Sequence, residues 1–76
     1  MEDEIQDKLE EIYNFIIEVK FKDFRQYDVL CKIDNERQFI IPFLYDARST
    51  FEYNITLLKG RIEHEIIDLF KRKVNI

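Results

Sequence analysis

The chain holds few side chains of the kinds that act as nucleophiles. Its 76 residues include one cysteine, Cys31, and one histidine, His64. Cys31 shares one side of an alternating segment with Val29 and Ile33, where a thiol behaves as a small hydrophobic side chain. His64 lies two positions from Ile62, which is about 200° around a helix, so we expect it to point away from the core. The two side chains would face opposite ways, and the sequence therefore predicts no Cys–His nucleophile.

Metal and cofactor sites are not indicated either. His64 and Asp68 form an i,i+4 pair beside Glu63 and Glu65, but one imidazole with carboxylates makes a nonspecific metal site. A single glycine excludes a glycine-rich phosphate loop and the dinucleotide-binding fingerprint. A lone cysteine excludes an internal disulfide and a cysteine-rich zinc framework. We expect no catalytic residue, no metal and no cofactor, and we expect that the protein is not an enzyme.

The net charge of −4 is concentrated at the start of the chain. Residues 1–20 hold seven acidic and two basic side chains, a net charge of −5, whereas residues 21–76 have a net charge of +1. The first segment would repel a polyanion and attract a basic protein surface. The residues that we expect to meet such a protein partner are Glu2, Asp3, Glu4 and Asp7.

The acidic residues at the start of the chain also indicate the cellular compartment. A secretory signal would carry basic residues where this chain has Glu2, Asp3 and Glu4. No apolar stretch approaches the roughly 18 residues that cross a bilayer. We expect no membrane association and a cytoplasmic protein, in the host cytoplasm if the protein is viral.

Apolar residues at helical spacing predict a helix near each end of the chain. The first covers residues 4–20, with a stripe that runs from Ile5 to Ile16. The second covers residues 61–73 and ends in the basic side chains that favour a helix C-terminus, Lys71, Arg72 and Lys73.

Alternating apolar residues predict a hairpin in the middle of the chain. Its strands are residues 27–33 and 37–44, joined by the loop 34–36 with a polar residue in the left-handed region. Pro42 lacks an N–H group, so the second strand is expected at a sheet edge. The register that buries all large apolar side chains on one face pairs Cys31 with Phe39, Val29 with Ile41 and Tyr27 with Phe43.

Residues 49–58 fit two structures. Ser49 and Glu52 have the spacing of a capping box, in which Ser49 would cap a helix. Strand periodicity is equally visible, because aromatic and β-branched residues alternate with polar ones at Phe51, Tyr53, Ile55 and Leu57. We favour the strand, with Gly60 separating it from the final helix.

These elements predict a single α+β domain over residues 1–76 in the order α-β-β-β-α. The strands would form a three-stranded antiparallel meander with both helices covering one face. The alternative order is α-β-β-α-β.

Apolar side chains are left over on the face of the hairpin that the helices do not cover. Leu30 and Ile40 would be cross-strand neighbours there, with Leu44 and Tyr45 just beyond. An edge strand with such a patch favours strand pairing or sheet-on-sheet contact. We therefore predict a homodimer that associates through Leu30, Ile40, Leu44 and Tyr45.

From Tyr27 onward, several short fragments of the chain follow one another in the same order as in a known protein family. They are Tyr27-Asp28-Val29, Gln38-Phe39, Ser49-x-Phe51-Glu52, Gly60, Glu65-Ile66-Ile67-x-Leu69 and Lys73-Val74. In these fragments the chain resembles the short uracil-DNA glycosylase inhibitors made by some phages of Gram-positive bacteria. That family forms symmetric dimers and mimics DNA, so the resemblance implies a DNA-binding enzyme as partner. The contact residues that it implies are Phe51 and Glu52, beside which we place Tyr53.

The function that we favour from the sequence is a small acidic protein-interaction module without enzymatic activity. We expect it to inhibit a host protein in the manner of viral or mobile-element proteins. Two alternatives stay open. One is the DNA-mimicking uracil-DNA glycosylase inhibitor. The other is a nucleic-acid-binding domain, since basic residues and aromatic strands suit single strands and the α-β-β-β-α order is shared with double-stranded-RNA-binding domains.

Overall fold

The computed structural model describes the backbone of residues 1–74 and the side chains of residues 1–71. A helix, three strands and a second helix follow one another along the chain: α1 (Glu2–Ile12), β1 (Ile16–Asp23), β2 (Gln26–Lys32), β3 (Gln38–Leu44) and α2 (Phe51–Val74). The strands form an antiparallel meander with β2 in the centre. The predicted class and the order α-β-β-β-α are confirmed.

Both helices pack on the same face of the sheet. Each strand turns alternate side chains toward them, because successive residues of a strand point to opposite faces. Burying one such aliphatic side chain contributes about 1.5–3 kcal/mol. The centre of this core consists of Ile5, Leu9, Ile17, Val19, Val29, Cys31, Ile41, Phe43, Ile55, Leu58 and Ile62. Neither described helix is long and apolar enough to cross a membrane.

The predicted hairpin is confirmed in register but not in its loop. Cys31 lies opposite Phe39 and Val29 lies opposite Ile41, and β3 is an edge strand as Pro42 indicates. The loop between β2 and β3 contains no residue with positive φ. Instead, the Asp34 carboxylate closes the loop by accepting hydrogen bonds from backbone N–H groups of the next residues. The short side-chain acceptor makes the left-handed residue unnecessary.

The prediction of one helix over residues 4–20 is wrong beyond its first part. The helix ends at Ile12, and Tyr13 is extended with φ −117° and ψ 150°. The next residues are β-branched and aromatic, and they form β1 by pairing with β2. Burial in β1 alternates, with Ile17 and Val19 inside, whereas Ile16 is 63% exposed and does not extend the helical stripe.

The preference for a strand over residues 49–58 is also wrong, because α2 begins at Phe51. Thr50 rather than Ser49 caps it, since the Thr50 hydroxyl accepts a hydrogen bond from the Tyr53 N–H at 3.1 Å. Gly60 lies inside the helix, at a cost of about 1 kcal/mol relative to alanine. The three strands of the meander are therefore the predicted hairpin and the segment before it.

A buried asparagine explains why the alternation in this segment is misleading. Asn54 occupies an inward position of α2 and is fully buried. Its side-chain amide donates to the carbonyls of Asp46 and Thr50 at 3.0 and 2.9 Å, and its oxygen accepts from the Asp46 N–H at 2.8 Å. The polar side chain is buried because it ties the loop after β3 to the first turn of α2.

Candidate protein-binding surface

Helix α1 covers the outer edge of β1. The Gln6 side chain accepts a hydrogen bond from the Val19 N–H at 3.0 Å, and the Glu2 carboxylate accepts one from the Phe21 N–H. These side chains satisfy backbone donors that would otherwise be available to a strand of another molecule. Strand addition at this edge is therefore disfavoured.

The outer edge of β3 is protected in a different way. Pro42 has no N–H group to offer, and its carbonyl accepts a hydrogen bond from the Arg61 guanidinium at 2.7 Å. Proline on an edge strand is a common protection against edge-to-edge pairing. At Pro42, the addition of another strand to this edge is therefore disfavoured.

The sheet face away from the helices carries an apolar patch along β3. Ile40 and Leu44 are 59% and 58% exposed, and Pro42 lies between them on the same face. Leu30 of β2 lies directly opposite Ile40 and is half-buried. We call these four residues, Leu30, Ile40, Pro42 and Leu44, the open-face patch.

A groove of about 410 Å³ continues this patch around the edge of β3 to α2. Leu57, which is 42% exposed, faces the groove from the helix. Its walls are Ile40, Ile41 and Pro42 from the strand and Leu57, Gly60, Arg61, His64 and Glu65 from the helix. Apolar side chains of β3 and Leu57 of α2 thus border the same groove, together with polar and charged residues of the helix.

Charges of both signs border the groove on α2. Arg61 and Glu65 lie in its wall. On the other side of the helix, the Lys59 ammonium lies 3.0 Å from the Glu63 carboxylate. Hydrogen bonds from Lys59 and from the Tyr13 hydroxyl lower the pKa of Glu63 below its ordinary value, so this carboxylate is ionised at neutral pH.

The predicted self-association residues divide into three that share this surface and one that does not. Leu30 and Ile40 are cross-strand neighbours as predicted, and Leu44 follows on the same face. Tyr45 is only 8% exposed and belongs to the core. Its placement on the outer face is wrong, because the alternation of β3 puts Tyr45 on the same side as Ile41 and Phe43.

The acidic residues predicted to contact a partner differ in their exposure and in the bonds that their carboxylates already make within the chain. Asp3, Glu4 and Asp7 are exposed on α1, although Glu4 also pairs with the amino group of Met1 at 3.1 Å. Glu2 is half-buried and is occupied with the backbone of β1. A basic protein partner for this helix stays a prediction.

The residues implied by the family resemblance lie in the first turn of α2. Phe51 is half-buried and packs against the core, whereas Glu52 and Tyr53 are exposed. The fragment Lys73-Val74 lies in α2, but its side chains are outside the described residues. The resemblance, with the viral origin and the inhibitory role that go with it, stays a prediction.

Reactive chemistry has little support among the described side chains. Burial raises the pKa of the Cys31 thiol to about 12, so the thiolate is scarcely populated at neutral pH. His64 is exposed in the groove wall and therefore cannot act on the buried thiol. Within the described part of the chain, no group of three His, Cys, Asp or Glu side chains is placed to hold a metal ion.

Sequence reasoning missed the helical half of this surface. The sequence pattern assigns Leu57 to a strand, Gly60 to a break and Arg61 to a separate helix. It therefore does not predict that these three residues lie on one side of a single helix. The contact of Arg61 with Pro42 joins residues 19 positions apart, and no local pattern signals it.

Comparison with known protein families, curated proteins and solved structures found no match.

Proposed function

We propose that this chain is a protein-interaction module without enzymatic activity, which binds a second copy of itself through the open-face patch and the groove beside it. The observation that carries the proposal is the exposure of Ile40 and Leu44 on the face of the sheet that neither helix covers. Exposed large aliphatic residues that adjoin one another mark interaction surfaces more often than scattered ones do.

A second copy suits this surface because the surface is self-complementary in charge. The groove wall contains both a cation, Arg61, and an anion, Glu65. A surface with both signs can meet an identical surface across a two-fold axis with opposite charges facing each other. A strongly basic partner would place positive charges opposite Arg61, and a strongly acidic partner would place negative charges opposite Glu65.

The protected sheet edges favour a closed dimer over a chain of copies. On the edge of β1, Gln6 and Glu2 bind the N–H groups of Val19 and Phe21, and on the edge of β3 Pro42 lacks an N–H group and its carbonyl is bound by Arg61. Open polymers through strand addition need one free edge on each side of the sheet. Side-chain packing about a two-fold axis uses one surface on both copies and then stops.

The proposal is tested by comparing two lysine substitutions on the same sheet face. Ile40→Lys places a charge in the patch, whereas Ile16→Lys makes the same change on β1, where Ile16 is equally exposed. We expect Ile40→Lys to abolish dimerisation in sedimentation velocity and Ile16→Lys to leave it unchanged, with circular dichroism showing both variants folded. Equal dimerisation by the two variants would contradict the proposal.

A further inference from the structure

The last part of α2 extends beyond the sheet. The helix has 24 residues and is about 36 Å long, whereas strands of seven or eight residues span about 23–27 Å. Among the described side chains of α2, the last buried one is Ile62. Phe70 lies beside the loop between β2 and β3, because the Arg37 guanidinium is 5.4 Å from its ring. We call residues 66–74 the α2 end.

Two large apolar side chains are exposed on the α2 end. Ile67 and Phe70 are 55% and 47% exposed. They are three positions apart, so they lie side by side on the helix surface. Their neighbours Ile66 and Leu69 are half-buried, and Ile66 packs against the core. The α2 end is therefore apolar both toward the fold and on part of its free surface.

The α2 end is positively charged although the whole chain is acidic. Its only acidic residue is Asp68, whereas Lys71, Arg72 and Lys73 follow one another. Three basic residues and one acidic residue give the α2 end a net charge of +2, in a chain with a net charge of −4. The Lys71 side chain is exposed, and no described carboxylate pairs with it.

The acidic helix α1 is too far away to neutralise this charge. The end of α1 is fixed against α2 by Tyr13, whose hydroxyl donates a hydrogen bond to the Glu63 carboxylate at 3.1 Å. Lys71 lies eight positions further along α2, a distance of about 12 Å. Physiological salt screens exposed charges over about 8 Å. The α2 end therefore presents its own positive charge to other molecules.

We propose that the α2 end binds the surface of anionic lipid membranes, with Ile67 and Phe70 in the apolar layer and its basic residues at the headgroups. Exposed aliphatic and aromatic side chains beside lysine and arginine are typical of helices that lie in the membrane interface. A nucleic acid would use the same cations but would leave Ile67 without an apolar partner.

This inference uses neither the open-face patch nor the groove, so it stands or falls separately from the proposed self-association. It replaces the expectation of no membrane association that was drawn from the acidic start of the chain. That start lies on α1, whereas the basic residues lie at the other end of the chain.

Co-sedimentation of the full chain with lipid vesicles tests the proposal. We expect the chain to sediment with vesicles of phosphatidylcholine and phosphatidylserine and to stay in solution with vesicles of phosphatidylcholine alone, which carry no net charge. Added salt is expected to release the chain, because salt screens the attraction between surface charges. No sedimentation with the phosphatidylserine vesicles at low salt, or equal sedimentation with both kinds, would overturn the proposal.

A pair of glutamate substitutions tests the apolar contact. Ile67→Glu changes the α2 end, and Ile16→Glu makes the same change on β1, where Ile16 is 63% exposed. We expect Ile67→Glu to bind phosphatidylserine vesicles at least about tenfold more weakly and Ile16→Glu to bind like the wild type. Circular dichroism is expected to show both variants folded. Equal binding by the two variants would show that Ile67 does not enter the lipid.

A second pair of variants tests the charge. Lys71→Glu is expected to weaken binding to the phosphatidylserine vesicles at least about fivefold, because a cation near an anionic membrane is replaced by an anion. Lys20→Glu makes the same change at an exposed position of β1 and is expected to bind like the wild type. Suppose instead that the chain ignores vesicles and binds a single-stranded oligonucleotide, with Lys71→Glu weakening this binding and Ile67→Glu leaving it unchanged. The α2 end would then be a nucleic-acid site, and the lipid proposal would be wrong.

Discussion

Phe24 is held in a backbone conformation that aromatic side chains rarely adopt. It lies in the tight turn between β1 and β2 with φ 57°, and it is 84% exposed. The left-handed region costs a non-glycine residue roughly 1 kcal/mol or more, and so exposed a ring regains little of this by packing. We expect Phe24→Gly to raise the free energy of unfolding by about 1 kcal/mol in urea denaturation. A lower stability would show that the ring makes a contact that outweighs the strain.

Asn54 is the polar residue on which the start of α2 depends. Asn54→Ala removes three hydrogen bonds and leaves the carbonyl and N–H of Asp46 without these partners. We expect the free energy of unfolding to fall by about 1–3 kcal/mol, measured in urea. Thr56→Ala removes one exposed hydroxyl hydrogen bond in the same helix and should cost less than about 0.5 kcal/mol. Equal losses would contradict the role of Asn54.

Asp34 makes part of the stability depend on acid pH. Hydrogen bonds from the Arg37 guanidinium, and then from the backbone N–H groups of Glu36 and Arg37, lower its pKa from 3.8 to about 2. A carboxyl with a lowered pKa in the folded state stabilises the fold above its unfolded pKa and loses this effect as the pH falls. We expect the stability difference between wild type and Asp34→Asn to shrink between about pH 4 and pH 2. A difference that does not change with pH would contradict this.

At the scale of the elements, the hairpin of β2 and β3 could be predicted because its local and tertiary signals agree. Its side chains alternate strictly, and only one register buries Val29, Cys31 and Ile41 together. The boundary between α1 and β1 could not be placed, since Ile12 and Ile16 continue the helical spacing while both are exposed. In α2 a buried Asn54 and an internal Gly60 weakened the helical pattern. In both segments, tertiary contacts rather than local residue spacing determine the secondary structure.

The protection of β1 by α1 is testable at the same scale. Gln6→Ala removes the acceptor of the Val19 N–H, which lies on the outer edge of the sheet. We expect this amide to exchange its hydrogen at least about tenfold faster, because a satisfied edge donor becomes open to water. Asp7→Ala changes the adjacent exposed residue and is the control. Unchanged exchange at Val19 would show that Gln6 does not close the edge.

At the scale of the whole molecule, only half of the candidate surface follows from the sequence. Ile40 and Leu44 were recognised because strand alternation leaves them outside the core. The other half depends on how α2 lies against the edge of β3, which brings Arg61 to the carbonyl of Pro42. The side of a long helix that borders a sheet edge is set by the packing of Leu58 and Ile62, and no local pattern reveals it.

Sedimentation equilibrium of the unmodified chain tests the central claim most directly. The chain has a mass of 9.4 kDa, and a dimer built on the open-face patch and the groove has twice that mass. We predict that the measured mass rises to the dimer value with increasing protein concentration and does not rise further, because both sheet edges are protected. A mass of 9.4 kDa at every concentration up to about 1 mM, where a dimer would be held by only about 4 kcal/mol, would contradict the account.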